Sequence, residues 1–207
     1  MGRTLPPVPM TDIGQLTRLA CTGIDGRKWY RDATAQIDFV AESEGWDRDE
    51  FAGVLAVTSP RCSVLRNIRM SLHFMHFRNE RVVPMRGIRR SLRNFLDGKG
   101  IKGQKTRAFC DNLSGRYDSV TLDVWMAYAL GIEQSDFNRV ASRQEATRRV
   151  VRVARRLRIE PAEAQAAIWT GYRRLKGLND SPFSVVSEYL DALDNQWEIT
   201  GCSIHAE

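Results

Sequence analysis

Apolar residues recur along the chain at helical spacing, and the strict alternation of a half-buried strand is nearly absent. Helices are predicted over 10–20, after a Pro-rich lead at 5–9, and over 28–43. A third begins after Asp47, with Glu50 three residues on as in a capping box, and ends near Val57. The next is expected to start with Ser59 as cap and Pro60 at the first helical position. Its buried stripe would be Val64, Leu65, Ile68, Leu72 and Met75, with Arg66, Arg69, His73 and His76 together on another face.

A short helix, GIRRSLRNFLDG, stops at Gly98, and another spans Gln104 to Leu113. TLDVWMAYALG predicts a helix capped by Thr121 and stopped by Gly131. SRQEATRRVVRVARRLRI carries a second box-like start at Ser142 and Glu145. Its inner face would be Ala146, Val150, Val153, Ala154 and Leu157, with arginines outside. Two further helices are expected, from Pro161 to Gly177 and over 183–194, with a frayed tail after Trp197. About ten helices with short connections make an all-α protein.

Composition narrows the class. The 207 residues are 43% hydrophobic and 27% charged, values of a globular chain, and the formal net charge of +6 favours polyanionic partners. The four cysteines form no CxxC pair, so no metal, iron–sulfur cluster or other cofactor is expected. The lead MGRTLPPVPM lacks the apolar run of a secretory signal, and no stretch reaches the ~18 apolar residues of a membrane span. A reducing cytoplasm, no membrane partner and a monomeric chain are the expectations.

The charge is concentrated. From Arg86 to Arg107 there are eight Arg or Lys against one acid, Asp97, around the glycine-bearing turn GIKGQ. Backbone amides of a helix's first turn, approached through glycines, suit a phosphate. Lys105 falls on that first turn, where the partial positive charge of the helix end disfavours another cation. Either an anion comes to this turn or the amine does chemistry. A solvated basic surface with ordinary caps is the competing reading of the same residues.

Over residues 98–131, GIKGQKTRAFCDNLSGRYDSVTLDVWMAYALG resembles the heart of the helix–hairpin–helix DNA glycosylases, the superfamily of endonuclease III, MutY and 8-oxoguanine glycosylase. The weaker likeness extends over 47–170, through FAGVLAVTSPRCSVLRN and RVARRLRIEPAEAQAAIW, and the chain resembles a compact, phage-type member. The resemblance implies one domain with a cleft between two helical lobes. Helices in 1–46 would join a C-terminal lobe at 132–197, the core lobe would be 47–131 with the hairpin at 97–104, and 198–207 would be a tail. It puts Lys105 on the family's nucleophilic lysine and Asp123 on its essential aspartate. Gly100, Lys102, Gly103 and Arg107 would meet DNA phosphates. Gly100 and Ile101 stand where the family reads Pro and the first Gly, while Gly103 keeps the second Gly. The glutamine that fills the gap left by an extruded base has no clear counterpart, and Ser59, Arg61 or Asn67 are the candidates. Trp125 would line the base pocket or belong to the core, Trp169 would belong to the core, and Gln165 would read a base edge.

The function implied is a DNA N-glycosylase with associated lyase activity, acting on double-stranded DNA with an extruded damaged or modified base. Two alternatives stay open. One is a base-hypermodification transferase of the same superfamily, acting on activated hydroxymethyl pyrimidines in phage DNA. The other is a DNA-binding module without catalysis.

Overall fold

A computed structural model describes residues 12–179, 181–195 and 197 of the chain. The Pro-rich lead at 5–9, the start of the first expected helix and the tail from 198 onward lie outside the described residues. Ten α-helices and no strand are found among the described residues, in agreement with the all-α expectation. They are α1 (Ile13–Thr22), α2 (Trp29–Glu44), α3 (Arg48–Thr58), α4 (Val64–Phe77), α5 (Arg86–Leu96), α6 (Gln104–Leu113), α7 (Val124–Leu130), α8 (Val140–Leu157), α9 (Pro161–Leu175) and α10 (Val185–Asp194).

The chain divides into two compact units, Met1–Tyr30 with Arg116–Asp180, and Arg31–Gly115 with Ser181–Glu207. In the first, α1, α7, α8 and α9 share a core of Leu16, Leu19, Met126, Val150, Val153, Ile168 and Tyr172. The crossing of α1 and α9 is close because Gly171 has no side chain. A Cβ there would lie 2.1 Å from the Leu19 carbonyl oxygen, a backbone atom that cannot swing aside. Arg174 clamps Asp25 through two hydrogen bonds of 2.7 and 2.6 Å, which hold the Asp25 carboxyl below its usual range.

In the second unit α3 is central. Every residue from Phe51 to Thr58 is buried, and α4, α5 and α6 all pack on it. A helix apolar on all sides has to be surrounded. Asp47 caps α3 as expected, accepting from the Glu50 amide at 2.6 Å.

Three expected caps are corrected. Ser59 ends α3, its hydroxyl donating to the Ala56 carbonyl at 2.9 Å, and α4 starts five residues later with Ser63 accepting from the Arg66 amide. Between them Arg61 takes a left-handed φ of 61°, which a continuous helix from Pro60 would not allow. As a result Val64 is half-buried and Leu65 is 42% exposed, while Ile68, Leu72 and Met75 are buried. For α7 the cap is Asp123, not Thr121. For α8, a 3₁₀ turn at Gln134–Asn138 runs directly into Val140, so Ser142 sits inside the helix and Glu145 pairs with Arg148 instead of capping.

Candidate nucleic-acid interface and catalytic residues

The α5–α6 turn is built from its helix ends. At the C-terminus of α5, the Lys99 amide donates to the Asn94 carbonyl and the Gly98 amide to that of Phe95. This is a Schellman ending, with Gly98 in the left-handed region at φ 73°. Gly100 (φ 71°) and Gly103 (φ 101°) complete a turn that L-residues with side chains rarely adopt. A Cβ at Gly100 would meet nothing within 4 Å, so backbone conformation and not crowding calls for glycine there.

Gly103 is the N-cap of α6 and has no side chain with which to cap it. The first-turn amides of α6 are thus uncapped, unlike those of α3, α4 and α7, which have Asp47, Ser63 and Asp123. A pocket of about 90 Å³ opens beside this turn. Gly100, Lys102 and Thr106 line it from the turn and α6, Ser91 and Asn94 from α5, and Pro60 from the turn before α4. It is well below the ~300 Å³ at which small-molecule sites begin, and Val57 and Ile88 also line it, so it is too small to enclose a nucleoside.

Lys105 is half-buried on the first turn of α6 and makes no hydrogen bond or ion pair among the described residues. It is close enough to Cys62 for its charge to be felt there. Burial pushes the Cys62 thiol up, and the fields of Arg66 and Lys105 partly oppose that rise. The structure therefore brings Lys105 beside the 59–63 turn that carries Arg61.

The remaining candidates separate. Lys102 is exposed at the pocket, whereas Arg107 folds back and donates to the Ile101 carbonyl at 3.1 Å, bracing the turn. Arg61 is exposed and has no hydrogen bond or ion pair among the described residues. Asn67 is only 4% exposed, and its amide donates to Thr58 Oγ1 at 2.7 Å, within a buried network that includes Ser71. Asn67 is thus a core residue and cannot fill a gap in a DNA stack. Ser59 spends its hydroxyl on Ala56.

Asp123 lies in the first unit, half-buried at the start of α7. One carboxylate oxygen accepts from the Met126 amide at 2.9 Å and the other from the Trp169 indole N–H at 3.3 Å. Arg173, one turn beyond Trp169 on α9, stacks its guanidinium over Trp169 at 4.7 Å and over Trp125 at 5.4 Å. Trp125 and Trp169 are half-buried against the core, and both rings meet the Arg173 guanidinium. Gln165 is buried, and its side-chain oxygen accepts from the Tyr30 hydroxyl at 2.8 Å, so it faces the core. The Trp169–Asp123 bond escaped sequence reasoning because 46 residues separate the partners. Its one sequence trace is the position of Trp169 a helical turn before Arg173.

No group of three or more potential metal ligands occurs among the described residues, and none of their helices is long and apolar enough to cross a membrane. A family model described as "Family of unknown function (DUF7178)" matches residues 20–176, and the chain belongs to that family. No curated protein and no solved structure matches the chain at a significant level.

Proposed function

We propose that this member of the family acts on duplex DNA as a base-excising enzyme with lyase activity. The α5–α6 turn seats a backbone phosphate, and Lys105 serves as the nucleophile. The observation that carries the reading is the junction itself. A helix start capped only by glycine is open to an anion, and it bears an amine that the protein leaves without a partner among the described residues. The helix–hairpin–helix glycosylase fold is part of the same proposal.

In this reading the Lys105 amine in its neutral form attacks C1′ of an extruded nucleotide. The C1′–N bond breaks with its electron pair on the departing base, which takes up a proton. Ring opening leaves a Schiff base between Lys105 and the sugar, and β-elimination from it nicks the strand. The reaction needs a carboxylate to take up a proton and to balance positive charge on the sugar, and the family resemblance gives that role to Asp123. Exposed Arg61, on the same unit as Lys105, is the residue that enters the vacated stack.

The test is mass spectrometry of free bases and nucleosides after incubation with DNA bearing modified pyrimidines or oxidised purines. Excision gives a free base from the wild type and none from Lys105→Gln. A heavier nucleoside with no free base would replace this reading with the hypermodifying transferase.

A second reading has its own observation. Both oxygens of Asp123 are already engaged in holding α7 and Trp169, as a purely structural carboxylate would be. A DNA-binding module without chemistry predicts that Asp123→Asn changes no DNA-dependent property.

A further inference from the structure

The segment from Arg139 to Arg158 holds eight arginines, no lysine and one acid, Glu145. The structure sorts these arginines into two groups. Four have partners within the chain: Arg139 and Arg148 in exposed pairs with Asp136 and Glu145, and part-buried Arg143 and Arg149 on the Phe137 and Leu130 carbonyls. The other four, Arg152, Arg155, Arg156 and Arg158, are exposed and have no hydrogen bond or ion pair among the described residues.

They follow one another along the last two turns of α8 and its cap, while Val150, Val153 and Ala154 fill the opposite, buried face. Glu160, the next acid along the chain, is engaged in the capping box of α9. A favourable interaction with the helix C-terminus accounts for cations in the last turn only. Arg152 lies before it. Arg158 also holds the left-handed position of a Schellman ending (φ 56°), which the corresponding ends of α2, α5, α7 and α9 give to Gly45, Gly98, Gly131 and Gly177.

We propose that the C-terminal half of α8 is a second nucleic-acid contact surface, on the unit that does not carry the α5–α6 turn, and that it grips backbone phosphates of duplex DNA. Arginine suits that partner because its planar fork bonds two phosphate oxygens at once, which lysine cannot do. The inference rests on the DNA reading above but not on any catalytic step.

The experiment is a salt titration of the full chain binding a short, undamaged DNA duplex, read by fluorescence anisotropy. Each phosphate contact contributes about 0.9 to the slope of log K against log salt. The variant R152Q/R155Q/R156Q should lower that slope by roughly 2 to 3, with unchanged circular dichroism and melting temperature. The variant R152K/R155K/R156K, which keeps the charge, should keep most of the slope. A parallel variant, K99Q/K102Q, reports the first surface, since both lysines are exposed on the α5–α6 turn. If that variant lowers the slope and the α8 glutamine variant does not, the α8 surface is overturned and the DNA reading stands. If neither lowers it, both are overturned. Loss of binding to heparin with an intact DNA slope would reassign α8 to another polyanion and overturn the proposal.

Discussion

At the residue scale, Asp123 is asked to be two things at once. As N-cap of α7 it satisfies the Met126 amide, and as hydrogen-bond acceptor it holds Trp169. Replacement by alanine should cost about 0.5–2 kcal/mol in urea denaturation, the usual cost of a lost cap. Asparagine keeps the capping oxygen but turns its amide N–H2 toward the Trp169 indole N–H, so Asp123→Asn should lie between the wild type and the alanine variant in stability. Loss of base release beyond what that stability difference explains then belongs to chemistry and not to folding. Equal destabilisation by both substitutions would mean that the bond to Trp169, and not the cap, stabilises α7. The sequence marked Asp123 through its likeness to a family aspartate, but assigned the cap to Thr121, because both residues are good caps and only the backbone decides which amide each one meets.

At the element scale, the ends of helices were legible where glycine or a single capping residue had no competitor. The span Gln104–Leu113 matches the expectation residue for residue, since Gly103 before it and Ser114–Gly115 after it leave no other choice. The start of α4 was misplaced by four residues because Ser59–Pro60 and Ser63 are both credible starts. Burial of Thr58 with Ser71 and Asn67 decided between them. What no local pattern could show is how closely α1 and α9 cross. Gly171→Ala should destabilise by at least the ~1–3 kcal/mol of an overpacked core, because the obstruction is the Leu19 backbone. Thermal unfolding of that variant checks the crossing, and a wild-type melting temperature would contradict it.

At the scale of the whole molecule, the surplus of positive charge is not spread evenly. It gathers at the α5–α6 turn and at the end of α8, each on its own unit. Composition alone gave the sign of the surplus. Only the ion pairs and carbonyl contacts separated the arginines bonded within the fold from those with no protein partner among the described residues. Stability should also depend on pH through His73. Burial and the neighbouring His76 push its imidazole below the usual value, and its Nδ1 is buried without a hydrogen bond. The unfolded chain therefore binds a proton at a higher pH than the folded one. This contribution is complete above the unfolded value of about 6.5 and is lost as pH falls through it toward the folded value. Urea midpoints should drop on acidification across that window, and should drop less in His73→Gln.

The central claim is that the amine at 105 bonds covalently to DNA sugar, and borohydride reduction measures it most directly. A duplex with a single abasic site, reduced in the presence of protein and digested, should give one cross-linked peptide with the adduct on Lys105, and none from Lys105→Gln at unchanged duplex affinity. An adduct on another lysine, equal yields from both proteins, or no adduct at all would contradict the account.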